Sequence, residues 1–224
     1  MISQLSGTLG QLGVSRKPVS APQTAWWLAG GINPANVVAA YQGKGAASYG
    51  DSKVNLAGDS THNLTEGNAP AWDTLIGWTM NGNKWLETGI LPTENMSAFV
   101  RFTSAGNPSV LFGSYSGNNT TRFVICPSFQ GKKNYEHAGS YLGGNNTGYG
   151  FGSMAITGQS GYYNGLFDTA IPGTWSGTAT KTIHIGHQNG YTSYCDAVII
   201  AMSFYANPIT AEQIMALHQA TETL

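Results

Sequence analysis

Three stretches of the sequence combine tyrosine rings with side-chain amides, a combination that suits sugar binding. They are GSYSGNNTT (113–121), GSYLGGNNTGYGFG (139–152) and GHQNGYTSY (186–194). A flat aromatic ring covers the apolar face of a pyranose, while amides and hydroxyls bond to its rim. Loops rich in asparagine and glycine also turn corners in β-sandwiches, so a structural role stays open. We predict a sugar-binding surface formed by Tyr115, Asn118, Asn119, Tyr141, Asn145, Asn146, Tyr149, Gln188 and Tyr191.

Sugar cleavage would require two carboxylates a few ångströms apart, one acting as the acid and the other as the nucleophile or base. No two of the 11 acidic residues lie within four positions of each other: Asp51, Asp59, Glu66, Asp73, Glu87, Glu94, Glu136, Asp168, Asp196, Glu212 and Glu222. A pair on one strand is therefore excluded, although a pair assembled across strands stays open. We expect no catalytic residue and a protein that is not an enzyme.

Metal binding and nucleophilic catalysis have little support in the sequence. His184 and His187 are three residues apart on a predicted strand, which places them on opposite faces rather than around one metal. Ser48 in AASYG resembles a nucleophile elbow, but no helical pattern follows it. Calcium needs several oxygen ligands, usually with two carboxylates, and Asp196 has no acidic neighbour. We expect no metal or cofactor, with calcium as the open alternative.

The composition indicates which partners the chain does not suit. Charged residues make up 9% of the chain, against about 25% in an average soluble protein, and the net charge is −1. No cluster of lysine and arginine could neutralise a run of phosphates, so we exclude nucleic acid. No apolar run of about 18 residues could span a membrane. The first residues lack the basic and apolar regions of a secretory signal, so we expect synthesis in the cytoplasm.

The chain divides into two segments with different patterns. Residues 1–24 have weak periodicity, scattered glycine and serine, and two prolines, which predicts a polar, extended N-terminal arm for attachment or oligomerisation. Residues 25–224 alternate short β-branched and aromatic runs with glycine, asparagine and proline. This segment predicts one all-β domain, a two-sheet antiparallel jelly-roll sandwich with a short C-terminal helix. We expect Cys126 and Cys195, both in strand-like runs, to be buried free thiols.

Two local signals are specific enough to predict geometry. Asn164-Gly165 in YYNGLF predicts a hairpin with a type I′ turn, so Tyr162 and Tyr163 project to opposite faces. The terminal sequence ITAEQIMALHQA predicts a helix whose N-cap, Thr210, forms a capping box with Gln213.

A further signal is the alternation in DAVIIAMSFYA (196–206). Period-two alternation predicts that Val198, Ile200, Met202 and Phe204 share the packed face of one strand. The intervening residues would then form a face of smaller side chains.

Five motifs, taken in order, resemble one known superfamily. They are GWTMNGNKWLETGILP (77–92), LFGSY (111–115), ITGQSGYYNG (156–165), IHIGHQNG (183–190) and CDAVIIAMSFYANPITAEQIMAL (195–217). In this order they resemble the concanavalin A-like lectin/glucanase superfamily, in the laminin-G-like form found in phage structural proteins. The resemblance covers residues 26–220 and implies a ligand surface on the concave face or in the loops. The catalytic signature of the group, E-x-D-x-x-E, has no match here.

The resemblance and the arm together predict a function in a virion. We expect a non-enzymatic phage structural protein, either a head decoration or a tail-associated adhesion protein, which displays a lectin-like domain and forms a homo-oligomer. Residues 1–24 would dock on a capsid or tail protein, and the displayed domain could bind a host or environmental glycan. A polysaccharide-cleaving glycanase and a free carbohydrate-binding module are the alternatives.

Overall fold

A computed structural model describes residues 25–106, 108–139, 141–147 and 150–224, with the backbone alone described for 141–147. Within these residues, 16 strands form two sheets of eight strands each, and all but one of the strand pairs are antiparallel. One 11-residue helix lies near the C-terminal end. The predicted all-β sandwich with a terminal helix is confirmed. The predicted arm, 1–24, lies outside the described residues.

The first sheet has the strand order β13-β12-β11-β6-β16-β4-β3, and β1 also pairs with β16. Strands are numbered along the chain. Its members are β1 (Val37–Gln42), β3 (Ala71–Asp73), β4 (Gly77–Met80), β6 (Ser97–Thr103), β11 (Phe151–Thr157), β12 (Ser160–Tyr163), β13 (Leu166–Ala170) and β16 (Ala197–Tyr205).

The second sheet has the order β10-β9-β8-β7-β14-β5-β2, and β15 pairs with β7 in parallel. Its members are β2 (Thr65–Asn68), β5 (Trp85–Glu87), β7 (Phe112–Ser114), β8 (Phe123–Phe129), β9 (Lys132–His137), β10 (Tyr141–Thr147), β14 (His184–Ile185) and β15 (Gln188–Asn189). Several of these strands are only two or three residues long, so loops make up much of this side of the sandwich.

The main core lies between the two sheets. Phe102 and Phe204 of the first sheet pack in one apolar cluster with Phe112 and Phe123 of the second. A smaller cluster covers the opposite face of the first sheet, where helix α2 (Ala211–Thr221) packs on the 3₁₀ segment Trp26–Gly31. A short helix, α1 (Tyr49–Ser52), and three more 3₁₀ segments, Pro34–Asn36, Ser60–His62 and Asn119–Thr121, complete the described elements.

The predicted hairpin and helix cap are both confirmed. Tyr163 pairs with Leu166, and Asn164 and Gly165 between them have φ angles of 50° and 79°, as a type I′ turn requires. Tyr163 packs against the inter-sheet core, whereas Tyr162 packs against the outer cluster. The Thr210 hydroxyl accepts a bond from the Gln213 backbone, and the Gln213 side chain completes the capping box.

The predicted facing of β16 is wrong in its first half. A register irregularity between Ile199 and Ala201 indicates a β-bulge, which shifts the alternation by one residue. Ile199 therefore packs in the inter-sheet core, as do Met202 and Phe204 further along. Ile200, predicted to face that core, packs in the outer cluster with α2 instead.

An ion pair inside the sandwich joins the two sheets. Lys133 Nζ of β9 lies 2.9 Å from both carboxylate oxygens of Asp168 in β13, and both side chains are almost fully buried. The Tyr135 hydroxyl also donates to Asp168, at 3.0 Å, and Lys133 lies 4.2 Å above the ring centroid of Tyr163. Contacts to charged groups inside a protein are strong because little water competes for them.

Candidate functional site

Strands β8 and β9 alternate between the core and the outer face of the second sheet. Phe123, Ile125 and Tyr135 belong to the inter-sheet core. Because neighbouring residues of a strand point to opposite faces, the residues between them line the other side. That outer side is not fully wetted, since Val124 packs there in a small apolar cluster with Val110 and Cys126.

A pocket of about 170 Å³ lies on this outer face, and we call it the outer pocket. Since one water occupies about 30 Å³ in the liquid, the outer pocket has the volume of about six waters. Its apolar lining comes from Val110, Val124, Cys126 and Phe129, and its polar lining from Arg122, Asn134, Glu136, Gln188, Tyr191 and Ser193. Six of the ten lining residues are polar, so the outer pocket offers mainly hydrogen-bonding groups beside a smaller apolar wall.

The charged part of this lining is an ion pair with its own supporting contacts. Arg122 Nε lies 2.8 Å from Glu136 Oε2, close enough for an ion pair, although the N–H direction does not meet hydrogen-bond geometry. Asn134 Nδ2 donates to Glu136 Oε1 at 2.7 Å. The Arg122 guanidinium also lies 4.8 Å above the ring centroid of Tyr115. With side-chain exposures of 15% for Arg122 and 5% for Glu136, the two charges mainly compensate each other.

Two amide groups of the outer pocket have polar atoms without a partner among the described residues. They are Nε2 of Gln188 and Oδ1 of Asn134, and the two residues are 3% and 4% exposed. The orientation of the Asn134 amide follows from its neighbour, since a carboxylate can only accept and therefore takes the NH₂ group. Burying an amide atom without a partner costs about 1–3 kcal/mol, so both atoms favour a ligand that bonds to them.

The absence of a side chain at Gly113 makes room for Gln188. Gly113 lies in β7, opposite Gln188 in the parallel pair with β15. A Cβ atom on Gly113 would lie 3.1 Å from the Cα, Cβ and Cγ atoms of Gln188, which is tighter than ordinary contact. This glycine is therefore required for close approach of β15 rather than for a special backbone angle.

Tyr191 and Tyr115 stand at one side of the outer pocket. Their ring centroids are 6.0 Å apart and the ring planes are nearly perpendicular. Tyr191 lines the pocket and is 53% exposed, so about half of its surface remains accessible. The outer pocket therefore combines a half-exposed aromatic ring with buried amide groups.

A histidine pair fixes the loop that carries Tyr191. His184 Nδ1 lies 3.2 Å from His187 Nδ1, so the expectation that these residues face opposite sides is wrong. The reason is Gly186, whose φ of +83° turns the chain between them. His187 Nε2 lies 2.8 Å from the carbonyl oxygen of Tyr191, which can only accept. His187 therefore carries its proton on Nε2 and accepts the Nδ1 proton of His184.

Both histidines are uncharged at neutral pH. Burial lowers the pKa of His184 to about 4, and burial also lowers the pKa of His187. Aromatic rings surround the pair: Trp85 stacks on His184 with centroids 6.3 Å apart, and Tyr194 stacks on His187 at 4.6 Å. These contacts hold the 186–194 loop against the sheet and so position Tyr191.

The structure brings together three of the nine predicted site residues, Tyr115, Gln188 and Tyr191. Asn118 instead accepts bonds from the hydroxyls of Thr120 and Thr121, and Asn119 Oδ1 lies 3.4 Å from Arg122. Tyr141, Asn145 and Asn146 lie in β10 with only their backbone described, and Tyr149 lies outside the described residues.

Sequence reasoning missed Arg122, Asn134 and Glu136, which supply half of the six polar lining residues. Each is a polar residue in or beside a strand that otherwise packs in the core. The signal that could have found them is the alternation in KKNYEH, where Asn134 and Glu136 share the face opposite Tyr135.

A larger cavity of about 860 Å³ lies where the two ends of the described chain meet. It is lined mainly by apolar groups from the Trp26 segment, the β3–β4 turn and the end of α2. Ala25, the first described residue of the chain, is also part of this lining. None of the unpaired buried atoms of the described residues belongs to its lining, so we place the candidate site at the outer pocket instead.

Neither a metal cluster nor a membrane-crossing helix is found among the described residues. Among the described residues, no group of three or more histidine, cysteine and acidic side chains is placed to hold a metal ion. In the same part of the chain, no helix has the length and apolar character needed to cross a membrane.

The prediction for the two cysteines is confirmed, since Cys126 and Cys195 are both buried and neither forms a disulfide. Burial raises the pKa of Cys126, at the outer pocket, to about 12.

Comparisons with known proteins show the fold. No family model matches the chain, and no curated protein matches it by sequence. A mutant of Trypanosoma rangeli sialidase displaying trans-sialidase activity is similar over 85% of this chain and 34% of its own, with 10% identity and a TM-score of 0.62. The chain thus spans about a third of the sialidase.

Two shorter structures are similar as well. Domain 4 of AbnA, a GH43 extracellular arabinanase from Geobacillus stearothermophilus solved with arabinotriose, matches 82% of this chain and 98% of its own, with 16% identity and a TM-score of 0.56. The receptor-binding domain of botulinum neurotoxin D matches 84% of this chain and 53% of its own, with 12% identity and a TM-score of 0.55. These similarities show a β-sandwich compatible with a lectin-like jelly roll.

Proposed function

We propose that this protein is a carbohydrate-binding domain without catalytic activity, and that its sugar site is the outer pocket. The observation that carries the proposal is the pair of unpaired buried amide atoms, Gln188 Nε2 and Asn134 Oδ1, beside the half-exposed ring of Tyr191. A sugar offers hydroxyls to the amides and an apolar ring face to the tyrosine. The arabinanase domain solved with arabinotriose supports this proposal as a sandwich of the same fold.

A binding assay with one matched control tests the proposal. We expect Tyr191→Ala to weaken sugar binding by about tenfold or more on a glycan array and in titration calorimetry, because stacking on a ring contributes about 1–3 kcal/mol. Phe167→Ala removes a ring that is similarly exposed on β13 of the other sheet and should leave binding unchanged. Equal affinities for the two variants, or no sugar bound by the unaltered chain, would rule out the outer pocket as a sugar site.

We also propose that the domain is displayed on a phage particle, as a head decoration or tail-associated adhesion protein of the laminin-G-like kind, and that it forms a homo-oligomer. The support is the order of the sequence motifs and the polar composition of residues 1–24. Deleting residues 1–24 should abolish association with particles and leave the melting temperature of residues 25–224 nearly unchanged. Particles that carry the deletion variant at full occupancy would contradict this role.

The main alternative from another class is a polysaccharide-cleaving glycanase. Release of reducing ends from a polymer by the purified protein would favour it, provided that neutralising one aspartate or glutamate removes the activity. A free carbohydrate-binding module would bind sugar but fail to associate with particles.

A further inference from the structure

We propose that the outer pocket selects an uncharged sugar with free hydroxyls over an acidic sugar or an amino sugar. The inference rests on the proposed sugar-binding function and adds the chemical class of the ligand. Three features of the lining support it. They are the hydrogen-bonding roles of Gln188 Nε2 and Asn134 Oδ1, the ion pair between Arg122 and Glu136, and the ring of Tyr191.

The two unpaired atoms require opposite hydrogen-bonding roles from the ligand. In the orientation that the structure gives its amide, Gln188 Nε2 is a donor and needs an acceptor, whereas Asn134 Oδ1 is an acceptor and needs a donor. Sugar hydroxyls supply both roles, since each one donates once and accepts as well. A carboxylate only accepts and would leave the Asn134 oxygen unpaired, while an ammonium group only donates and would leave the Gln188 nitrogen unpaired.

The charges in the lining lead to the same ligand class. Arg122 and Glu136 are the only ionisable cation and carboxylate in the described lining, and they form an ion pair with each other. An acidic sugar would have to compete with Glu136 for Arg122 in a largely buried site, where separating two paired charges is strongly unfavourable. An amino sugar would have to draw Glu136 away from Arg122 in the same way.

The shape of the outer pocket limits how much of a sugar enters. A volume of about 170 Å³ holds a single ring at most, with further sugar units outside. Tyr191 lines the pocket and is about half exposed. A ring that stacks there turns its hydroxyl edge towards the amides, which makes the terminal unit of a neutral chain the best fit.

Matched sugars test the class of ligand. The full chain is titrated by calorimetry with neutral oligosaccharides, with the same chains oxidised at C6 of the terminal unit to uronates, and with the corresponding terminal 2-amino sugars. We expect the charged forms to bind about tenfold more weakly or worse, because a carboxylate or ammonium group inside the pocket would compete with the Arg122–Glu136 ion pair and could satisfy only one of the two amide atoms. Uronates or amino sugars that bind as well as the neutral chains would overturn the inference.

A nearly isosteric substitution shows whether the outer pocket is responsible. Gln188→Met removes the amide but keeps the length of the side chain, and it should reduce neutral-sugar binding about tenfold or more, whereas Gln219→Met, on the exposed side of α2, should have no effect. Gln188→Ala serves as a second variant, and the thermal melt of each variant verifies that it folds.

The outcomes separate this inference from the function on which it rests. Tight binding of uronates that Gln188→Ala abolishes would keep the sugar site and reject the neutral ligand class. Neutral binding that is unaffected by every Gln188 substitution would reject the outer pocket. The absence of binding to any sugar would reject the function and the inference together.

Discussion

Removing the arginine of the outer pocket should destabilise the fold, because Arg122→Met leaves the carboxylate of Glu136 buried without its cation. Breaking a buried ion pair from one side costs about 3–5 kcal/mol. Since Arg122 is 15% exposed, some water reaches the pair and we expect the lower end, about 3 kcal/mol. In a chain of 224 residues this corresponds to a fall of about 6–12 °C in melting temperature.

The assay is urea unfolding of four proteins: the unaltered chain, Arg122→Met, Glu136→Gln and the double variant. Glu136→Gln should be milder because Arg122 can still reach water. The double variant should recover most of the stability lost in Arg122→Met, since no charge is then left uncompensated. Losses that simply add in the double variant would refute the coupling of this pair.

The pH dependence of Arg122→Met gives a second check with a definite sign. Without its cation, the pKa of Glu136 should rise in the folded state above its unfolded value of about 4.3. Between the unfolded pKa and the raised folded pKa of Glu136, the folded variant binds more protons than the unfolded variant. The variant therefore gains stability relative to the unaltered chain as the pH falls. The loss should therefore be smaller at pH 5 than at pH 7. An equal loss at both pH values would show that Glu136 is not the group responsible.

Three further predictions concern the sheets and the loop. Gly113→Ala should weaken sugar binding and cost about 1–3 kcal/mol in urea unfolding, because its Cβ would press on Gln188; unchanged binding would contradict the close approach. Lys133→Met should cost about 3–5 kcal/mol, and adding Asp168→Leu should restore most of it, since both partners of this pair are buried; purely additive losses would argue against the pair. The pKa of His184 is about 4 in the folded protein, against 6.5 for an ordinary histidine. Between pH 4 and pH 6.5 the unfolded state therefore binds more protons than the folded state. Stability should therefore fall as the pH drops from 6.5 towards 4, by up to about 1.4 kcal/mol per pH unit from this group, and His184→Phe should show a flatter profile in the same unfolding assay.

Local signals could be predicted from the sequence wherever a few neighbouring residues decide the geometry. The Asn164-Gly165 turn is such a case. Few residue types adopt positive φ at two successive positions, and the pair Asn-Gly is typical of one hairpin turn, type I′. The box between Thr210 and Gln213 is another, since both partners lie within one helical turn. These features need no knowledge of what packs against them.

The facing of β16 and of the histidine pair could not be predicted in the same way. Strict alternation assumes a regular strand, and the bulge between Ile199 and Ala201 puts the residues before it out of step with Met202 and Phe204. Gly186 similarly turns the chain between His184 and His187, so that their Nδ1 atoms meet. In both cases one backbone irregularity, which has no strong sequence signature, reverses the orientation of side chains.

The outer pocket depends on pairing between strands, which the sequence does not state. Asn134 and Glu136 lie in β9, and Arg122 is the residue before β8. Gln188 lies in β15 and is at least 52 residues away from these three along the chain. Tyr115, Gln188 and Tyr191 could be predicted, because aromatic and amide residues cluster in the stretches 113–121 and 186–194. The remaining polar lining became visible only once β8 and β9 were in register.

The low charge of the chain and the chemistry of the outer pocket fit together. Charged residues are 9% of the sequence, and some of them lie in buried pairs, Arg122 with Glu136 and Lys133 with Asp168. With a net charge of −1, the surface has little long-range field with which to attract an ionic partner. Recognition at the proposed site would then depend on short-range contacts, hydrogen bonds to amides and packing on a ring, which salt screens very little. Binding of a neutral sugar at the outer pocket should therefore be nearly independent of ionic strength, whereas binding that weakens steeply with salt would indicate a charged ligand at another surface.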